Sequence, residues 1–336
     1  MKKKLKAAIL GFGGMGHCHA SQYAEQKDCE LVAVCDINPA QLEKTDITIN
    51  LGNSGKTNVC SLRKYLCYEE LIRNEPDLDY IDICLPSDLH AEYAIRAMND
   101  GFNVLCEKPM ALNLKDADAM IAASEKTGKL LMIAQCLRFS AEFNAVREAY
   151  ESGKYGKLLR LDMRRVGGLP GGWFRDVKRS GGALLDLHLH DADFINSVFG
   201  MPDSVMSYGT DVYSGGIDDS ITIYFYGDPR IPYISSEGSW ARSRFSGQLA
   251  AVFEKATIEI GTPDGTVIYS PEKGTRKLPL KVKTNPYFNE IAYFAKCVKS
   301  GKQPELATPW STRESLRLIF AEERSARTAK KVRLQK

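Results

Sequence analysis

No stretch of the 336-residue sequence approaches the ~20 consecutive apolar residues that span a bilayer, so a transmembrane protein is excluded as a class. There is no Cys-x-x-Cys pair among the nine cysteines, which argues against a zinc ribbon and a thioredoxin-type motif. Their number is odd and their positions scattered (Cys18, Cys29, Cys35, Cys60, Cys67, Cys84, Cys106, Cys136, Cys297). Several sit inside apolar runs, where cysteine acts as a small buried hydrophobe, so reduced thiols in a cytosolic protein are expected. Charge of one sign is lacking too. Forty-five Lys and Arg against 42 Asp and Glu leave +3, and no basic stripe marks a nucleic-acid binder. The one dense basic cluster, Lys2, Lys3, Lys4 and Lys6, precedes neither an apolar core nor a small-residue cleavage site. A signal peptide is therefore not expected, and a cytoplasmic location is. Neither an internal repeat nor a low-complexity linker is visible. What remains is an ordinary globular composition, 44% hydrophobic and 26% charged, long enough for two domains.

The first 135 residues alternate apolar runs with helical patterns. Strands are expected at 5–10, 31–35, 80–85, 103–106 and 130–134, with helices at 17–25, 89–99 and 114–126 between them. Apolar runs that lack period-2 alternation and are joined by helices imply a parallel sheet covered on both faces. This is a doubly wound α/β Rossmann domain, assigned to residues 1–135. The texture then changes. Helices at 143–152 and 183–199 flank a Gly-rich loop at 167–182, and β-branched and aromatic runs follow from 204 to 279. These predict an α+β domain, residues 136–336, with a large, mostly antiparallel open sheet and closing helices at 288–300 and 311–327.

Chemistry enters at Gly11-Phe12-Gly13-Gly14-Met15-Gly16, between the first strand and the first helix. A bare G-x-G-x-x-G is common and can be an ordinary strand–helix turn, but its context here is that of a dinucleotide site. Gly11 permits the tight turn, Gly13 lets the backbone approach the pyrophosphate, and Gly16 lets helix and strand pack closely. The helix N-terminus offers unpaired N–H groups to phosphate. Asp36, ~20 residues on at the end of the second strand, can accept both ribose hydroxyls and would repel a 2′-phosphate. NAD is therefore favoured over NADP. His17, Cys18 and His19 diverge by ~100° per residue on one helix and cannot converge on one ion.

Two later segments carry further candidates. Lys108, in Cys106-Glu107-Lys108-Pro109, follows a parallel strand and points toward the crevice where ligands of such sheets bind. Asp186 and His190 stand four apart on one helix face, where a carboxylate can orient an imidazole. A solvated lysine and a helix-surface pair are the plain alternatives. His188 lies about 200° around the helix from Asp186, so a zinc site built from His188, His190 and Asp191 or Asp193 is disfavoured and no metal is expected.

Taken together, Gly11–Gly16, Asp36, Cys84-Leu85-Pro86-Ser87-Asp88-Leu89-His90, Glu107-Lys108-Pro109 and Asp186-Leu187-His188-Leu189-His190 resemble the Gfo/Idh/MocA oxidoreductase family. The resemblance covers nearly the whole chain, including Glu323-Arg324-Ser325-Ala326 near its end. It implies the fold described above. It assigns Lys108, Asp186 and His190 to catalysis, and Leu85, Pro86, Ser87, His90 and Glu107 to the cofactor's border along with Phe12, Gly14 and Met15. Arg138, Trp173, Arg175 and Tyr287 fall where relatives line the nicotinamide and substrate pocket. His188 departs from the family, which often has glycine there. The implied activity is NAD-dependent oxidation of a secondary alcohol on a sugar, glycoside or cyclic polyol. Two alternatives are a redox-assisted glycoside-cleaving enzyme with tightly held NAD and a non-catalytic NAD sensor. A homodimer or homotetramer through the C-terminal sheet is the implied assembly.

Overall fold

The computed structural model describes residues 3–48, 54–56, 61–280 and 285–334. Cys60 lies outside them; the other eight cysteines are free thiols, and all but Cys67 are buried. By their contacts the residues form two units. One comprises Met1–Cys136 with Asn285–Arg313, the other Leu137–Thr284 with Glu314–Lys336. A linear division at 135/136 puts residues 285–313 in the second domain, whereas their contacts put them in the first unit.

The first unit is built on β1 (Leu5–Leu10), β2 (Cys29–Cys35), β3 (Arg63–Tyr65), β4 (Tyr80–Ile83), β5 (Asn103–Glu107) and β6 (Leu131–Ala134). They pair in the order β3-β2-β1-β4-β5-β6, every pair parallel. Ile9, Val34, Ile81, Ile83, Val104, Leu105 and Ile133 have no exposed surface, which is the reason these runs do not alternate. Each such side chain contributes about 1.5–3 kcal/mol by leaving water. Asp82 is the exception on β4. It is fully buried, and hydrogen bonds from the neighbouring helix meet its carboxylate. The first helix, α1, spans Gly14–Tyr23. The helix Leu114–Thr127 starts on an Asn113 cap and ends at left-handed Gly128; Pro286–Ser300 starts on an Asn285 cap and ends at left-handed Gly301. The short β3 and the helix Tyr68–Asn74 lie in a stretch where the sequence pattern shows no element.

The second unit carries a nine-stranded sheet made of β7 (Leu158–Gly168), β8 (Ser204–Thr210), β9 (Asp219–Phe225), β10 (Tyr233–Ser239), β11 (Ala241–Phe253), β12 (Thr257–Thr262), β13 (Gly265–Ser270), β14 (Gly274–Lys277) and β15 (Val332–Arg333). Their order is β14-β13-β12-β11-β7-β10-β9-β8-β15. All pairs are antiparallel except β10 with β7, because β7 inserts between two strands that follow each other in sequence. On β9, Ser220, Thr222 and Tyr224 are buried while Ile221 and Phe225 are exposed, so this sheet does alternate. The expected helix at 183–199 is composite. Leu184–His188 forms a π-helical turn that continues as the α-helix Leu189–Phe199.

Candidate active site

In the first unit the glycine turn has the geometry its sequence predicts. Gly11 has φ +92°, and a Cβ there would lie 2.7 Å from the carbonyl of Cys84. Gly16 is tighter still, because a Cβ would come within 2.2 Å of the Gly11 carbonyl oxygen. At Gly13 a Cβ would meet nothing within 4 Å, so its face of the turn is open. Two glycines thus press the turn against the sheet and the third leaves room in front. The α1 N-terminus behind it has no side-chain cap, which leaves its first N–H groups available to an anion. Asp36 Oδ2 accepts the Phe12 N–H at 2.7 Å and Oδ1 accepts the Asn38 N–H at 2.8 Å. Its carboxylate is thereby fixed at the end of β2, half-buried. The Phe12 side chain is buried against the His17 ring, with centroids 4.0 Å apart. A dinucleotide fits these residues: a fixed carboxylate, an open glycine face and an uncapped helix end.

The border segments of the same unit are joined by His90. Its Nδ1 lies 2.7 Å from the Pro109 carbonyl and its Nε2 2.8 Å from that of Leu85, so this buried ring clamps the 84–90 loop to the 107–109 turn. Burial holds its pKa below the ordinary value against the pull of the two carbonyls. The Lys108–Pro109 bond is cis, Ser87 is buried, and Leu85, Pro86 and Lys108 are half-buried.

Glu107 turns inward. Its Oε1 lies 2.9 Å from His19 Nε2, and Oε2 accepts the Lys108 N–H at 3.0 Å. His19 Nδ1 faces both oxygens of Asp82 at 3.0 and 3.1 Å, and Glu290, from helix Pro286–Ser300, approaches Nε2 at 3.7 Å. All four groups are buried. Donor atoms of His19 group within 4.8 Å of one another with Asp82 and Cys84, and again with Glu107 and Glu290. Protons balance the charge. Burial pushes the His19 imidazole down, but Asp82 outweighs it and holds the pKa well above its usual value. Burial likewise pushes Glu107 up, but the His19 hydrogen bond and charge bring it below the ordinary carboxylate value. Burial, with the charges of Glu107 and Asp82, drives Glu290 well above that value despite His19. The sequence reading missed Asp82 and Glu290; an Asp inside a buried parallel strand was the available signal. Tyr287, one turn before Glu290, is buried with its ring 6.0 Å from that of His19. His17 turns to the Gln41 carbonyl at 3.2 Å, so the two α1 histidines diverge as expected.

In the second unit, Asp186 lies in the π-helical turn and His190 one turn later, 8% and 7% exposed. Behind them the helix is held by buried ion pairs. Arg138 grips Asp193 with two hydrogen bonds of 2.6 and 2.8 Å, and Ser315 Oγ donates to the same carboxylate at 2.7 Å. Arg165 on β7 donates twice to Asp191 Oδ1, at 2.8 and 2.9 Å. Arg138, expected at the pocket wall, is 3% exposed and braces this helix through Asp193. His188 also points backward, fully buried, with Nε2 2.9 Å from Glu322 Oε2. Trp173 is half-buried and stacks on Phe174 at 3.9 Å between centroids, while Arg175 beside it is exposed. Phe174 in turn packs on the core around Ala183, Leu187 and Trp240.

Comparison with known proteins places both units. Residues 5–135 match the oxidoreductase family with the NAD-binding Rossmann fold, and residues 143–259 match the GFO/IDH/MocA C-terminal domain. The chain is 25% identical to the myo-inositol 2-dehydrogenase of Thermotoga maritima over 98% of its own length and 99% of that protein's. It is 31% identical to the D-glucoside 3-dehydrogenase of Escherichia coli over 59% of its length and 55% of the relative's. Among solved structures, myo-inositol 2-dehydrogenase from Lactobacillus plantarum shares the fold with a TM-score of 0.81 at 24% identity, covering 99% of this chain and 100% of that one.

Proposed function

The chain belongs to the GFO/IDH/MocA family of oxidoreductases, and from that membership we propose that it oxidises a secondary alcohol of a sugar, glycoside or cyclic polyol with NAD. The observation that carries the cofactor part is the glycine turn, closed at Gly11 and Gly16 and open at Gly13, with Asp36 fixed beside it. When bound, the nicotinamide accepts the carbinol hydride. The protein's own work is to bind, orient and move a proton. His190 takes the hydroxyl proton, and Lys108 stabilises the negative charge that grows on that oxygen, since an imidazole alone is a weak base for an alcohol. Asp186 holds His190 or a neighbouring hydroxyl in register. Trp173 offers a ring face to a sugar, and Tyr287 is kept as a substrate-pocket residue on the family resemblance alone. Asp36 disfavours a 2′-phosphate by charge, which supports NAD over NADP.

The named activities of the relatives support a polyhydroxylated substrate, and the two buried arginines behind Asp186 and His190 are not left over for a charged one. Arg138 and Arg165 are both paired with carboxylates. Assembly through the C-terminal sheet belongs to this proposal as well. Tyr208 and Ile221 stand opposite each other on β8 and β9, 69% and 49% exposed, and Phe225 and Tyr233 extend the apolar area. No helix among the described residues is long and apolar enough to cross a membrane.

The test is an assay of purified protein with myo-inositol and with methyl α-D-glucopyranoside, each with NAD and with NADP, following absorbance of the reduced nicotinamide. NAD-coupled oxidation of either polyol is expected. A strong NADP preference would overturn the Asp36 argument. Cleavage of the glucoside without net cofactor reduction would favour transient oxidation followed by elimination.

A further inference from the structure

The mechanism above uses Asp186 and His190 and leaves unused the histidine between them. His188 has no exposed surface. Its Nε2 meets Glu322 Oε2 at 2.9 Å, Ser236 Oγ at 3.1 Å and Tyr224 Oη at 3.3 Å. Tyr224 Oη and Ser236 Oγ lie 2.8 Å apart, and Thr222 donates to Glu322 Oε2 at 3.2 Å. These partners come from β9, β10 and the C-terminal helix, so one imidazole ties three elements together. It reaches them because β10 has glycine at 238: a Cβ there would come within 2.6 Å of both His188 Cβ and Nδ1. The charged groups that act on it are Glu322, Asp191 and Arg165.

The place of this contact in the helix matters. The other two clamps, Arg165–Asp191 and Arg138–Asp193, act on the α-helical part, Leu189–Phe199. His188 closes the π-helical turn itself, Leu184–His188. A π turn carries one more residue than an α turn and is less well bonded, so it persists where its surroundings enforce it. The turn also sets the direction in which Asp186 leaves the helix relative to His190. We propose that His188 is a positioning residue: its buried contact with Glu322, admitted by Gly238, holds the π-helical turn that aligns Asp186 with His190. This rests on the catalytic reading of Asp186 and His190. Loss of the imidazole leaves the buried Glu322 carboxylate with Thr222 but without its cationic partner, and it frees the π-helical turn from the contact that holds its last residue.

The whole protein with NAD bound tests this by the NMR titration of the His190 imidazole and by turnover of myo-inositol or methyl α-D-glucopyranoside. The chain has five histidines, so the His190 signal is assigned by its loss in His190→Ala. His188→Leu and Gly238→Ala should each move the His190 midpoint by about half a pH unit or more. They should also lower kcat about tenfold or more, with the NAD dissociation constant unchanged. His188→Gln, which still donates to Glu322, should stay close to the parent in both measurements. A role in stability alone would lower the melting temperature and leave the His190 midpoint in place. The proposal is overturned if that midpoint stays within about 0.1 unit in both disruptive variants. Turnover that survives in His190→Ala would instead overturn the catalytic reading, while the titration arm continues to judge the positioning of His190.

Discussion

The turn at Gly11–Gly16 and the helix at Asp186–His190 bring their atoms into place by opposite means. The turn is backbone: six consecutive residues, two of which cannot carry a Cβ without meeting another carbonyl. The helix is side chains, its direction set by Arg138, Arg165 and Glu322, which are distant from it in sequence. The difference teaches that a site made of steric exclusions is brittle and local. One made of buried ion pairs tolerates backbone change but depends on every partner being present.

That contrast breaks first at Gly16. Gly16→Ala should abolish measurable NAD binding by calorimetry, because its Cβ would sit 2.2 Å from the Gly11 oxygen. An unchanged affinity would show that the turn is softer than its geometry implies. Next in size, Lys108→Ala should lower kcat by about 10²–10⁴-fold while NAD affinity changes little. Near-full turnover would remove Lys108 from the chemistry.

Asp36→Ser is a smaller change and probes whether the turn region also selects the cofactor. It should narrow the NAD over NADP preference by about tenfold, read as the ratio of the two kcat/KM values. The smallest effect is expected in the buried cluster of the first unit, which resembles the second unit in being made of charges. His19 has a raised folded-state pKa, so its contribution to stability is complete below the unfolded value of ~6.5 and is lost as pH rises through the folded value. Glu290 is raised as well, so its proton stabilises the fold less as pH climbs above the ordinary carboxylate range. Chemical denaturation across pH 5–9 should therefore show stability falling toward alkaline pH. Glu290→Gln, neutral at every pH, should flatten that fall by about 1 kcal/mol. A slope unchanged in Glu290→Gln would assign it to other groups.

How much could be read from the sequence follows the same line. The close packing at Gly11 and Gly16 was legible because each glycine meets the backbone of the turn itself or of an adjacent strand. The parallel sheet was legible from its unbroken apolar runs. Arg138 was not. Its guanidinium answers Asp193, and nothing in the residues around either one announces the partner. His188 was seen to face away from Asp186, but Glu322 and Gly238, which explain it, lie on other elements. The π-helical turn escaped as well, since its pattern of apolar residues is that of a continuing helix. The helix carrying Tyr287 and Glu290 was legible along the chain, while its contacts group it with the first unit although its position in sequence lies inside the second.

That last displacement bears on how the protein is made. The first unit includes residues 285–313, and Glu290 is the third carboxyl group around its buried His19, after Asp82 and Glu107. A ribosome that has released residues 1–136 has therefore released all six strands of the Rossmann sheet but not the helix that packs against α1. Domains that are continuous in sequence can finish folding in order of synthesis. Here residues 285–313 of the N-terminal unit follow eight of the nine strands of the second sheet in the chain, so the first unit is complete only after those strands are translated. Dissection at residue 136 would accordingly yield a fragment that lacks residues 285–313 and leaves the flank of α1 they cover exposed.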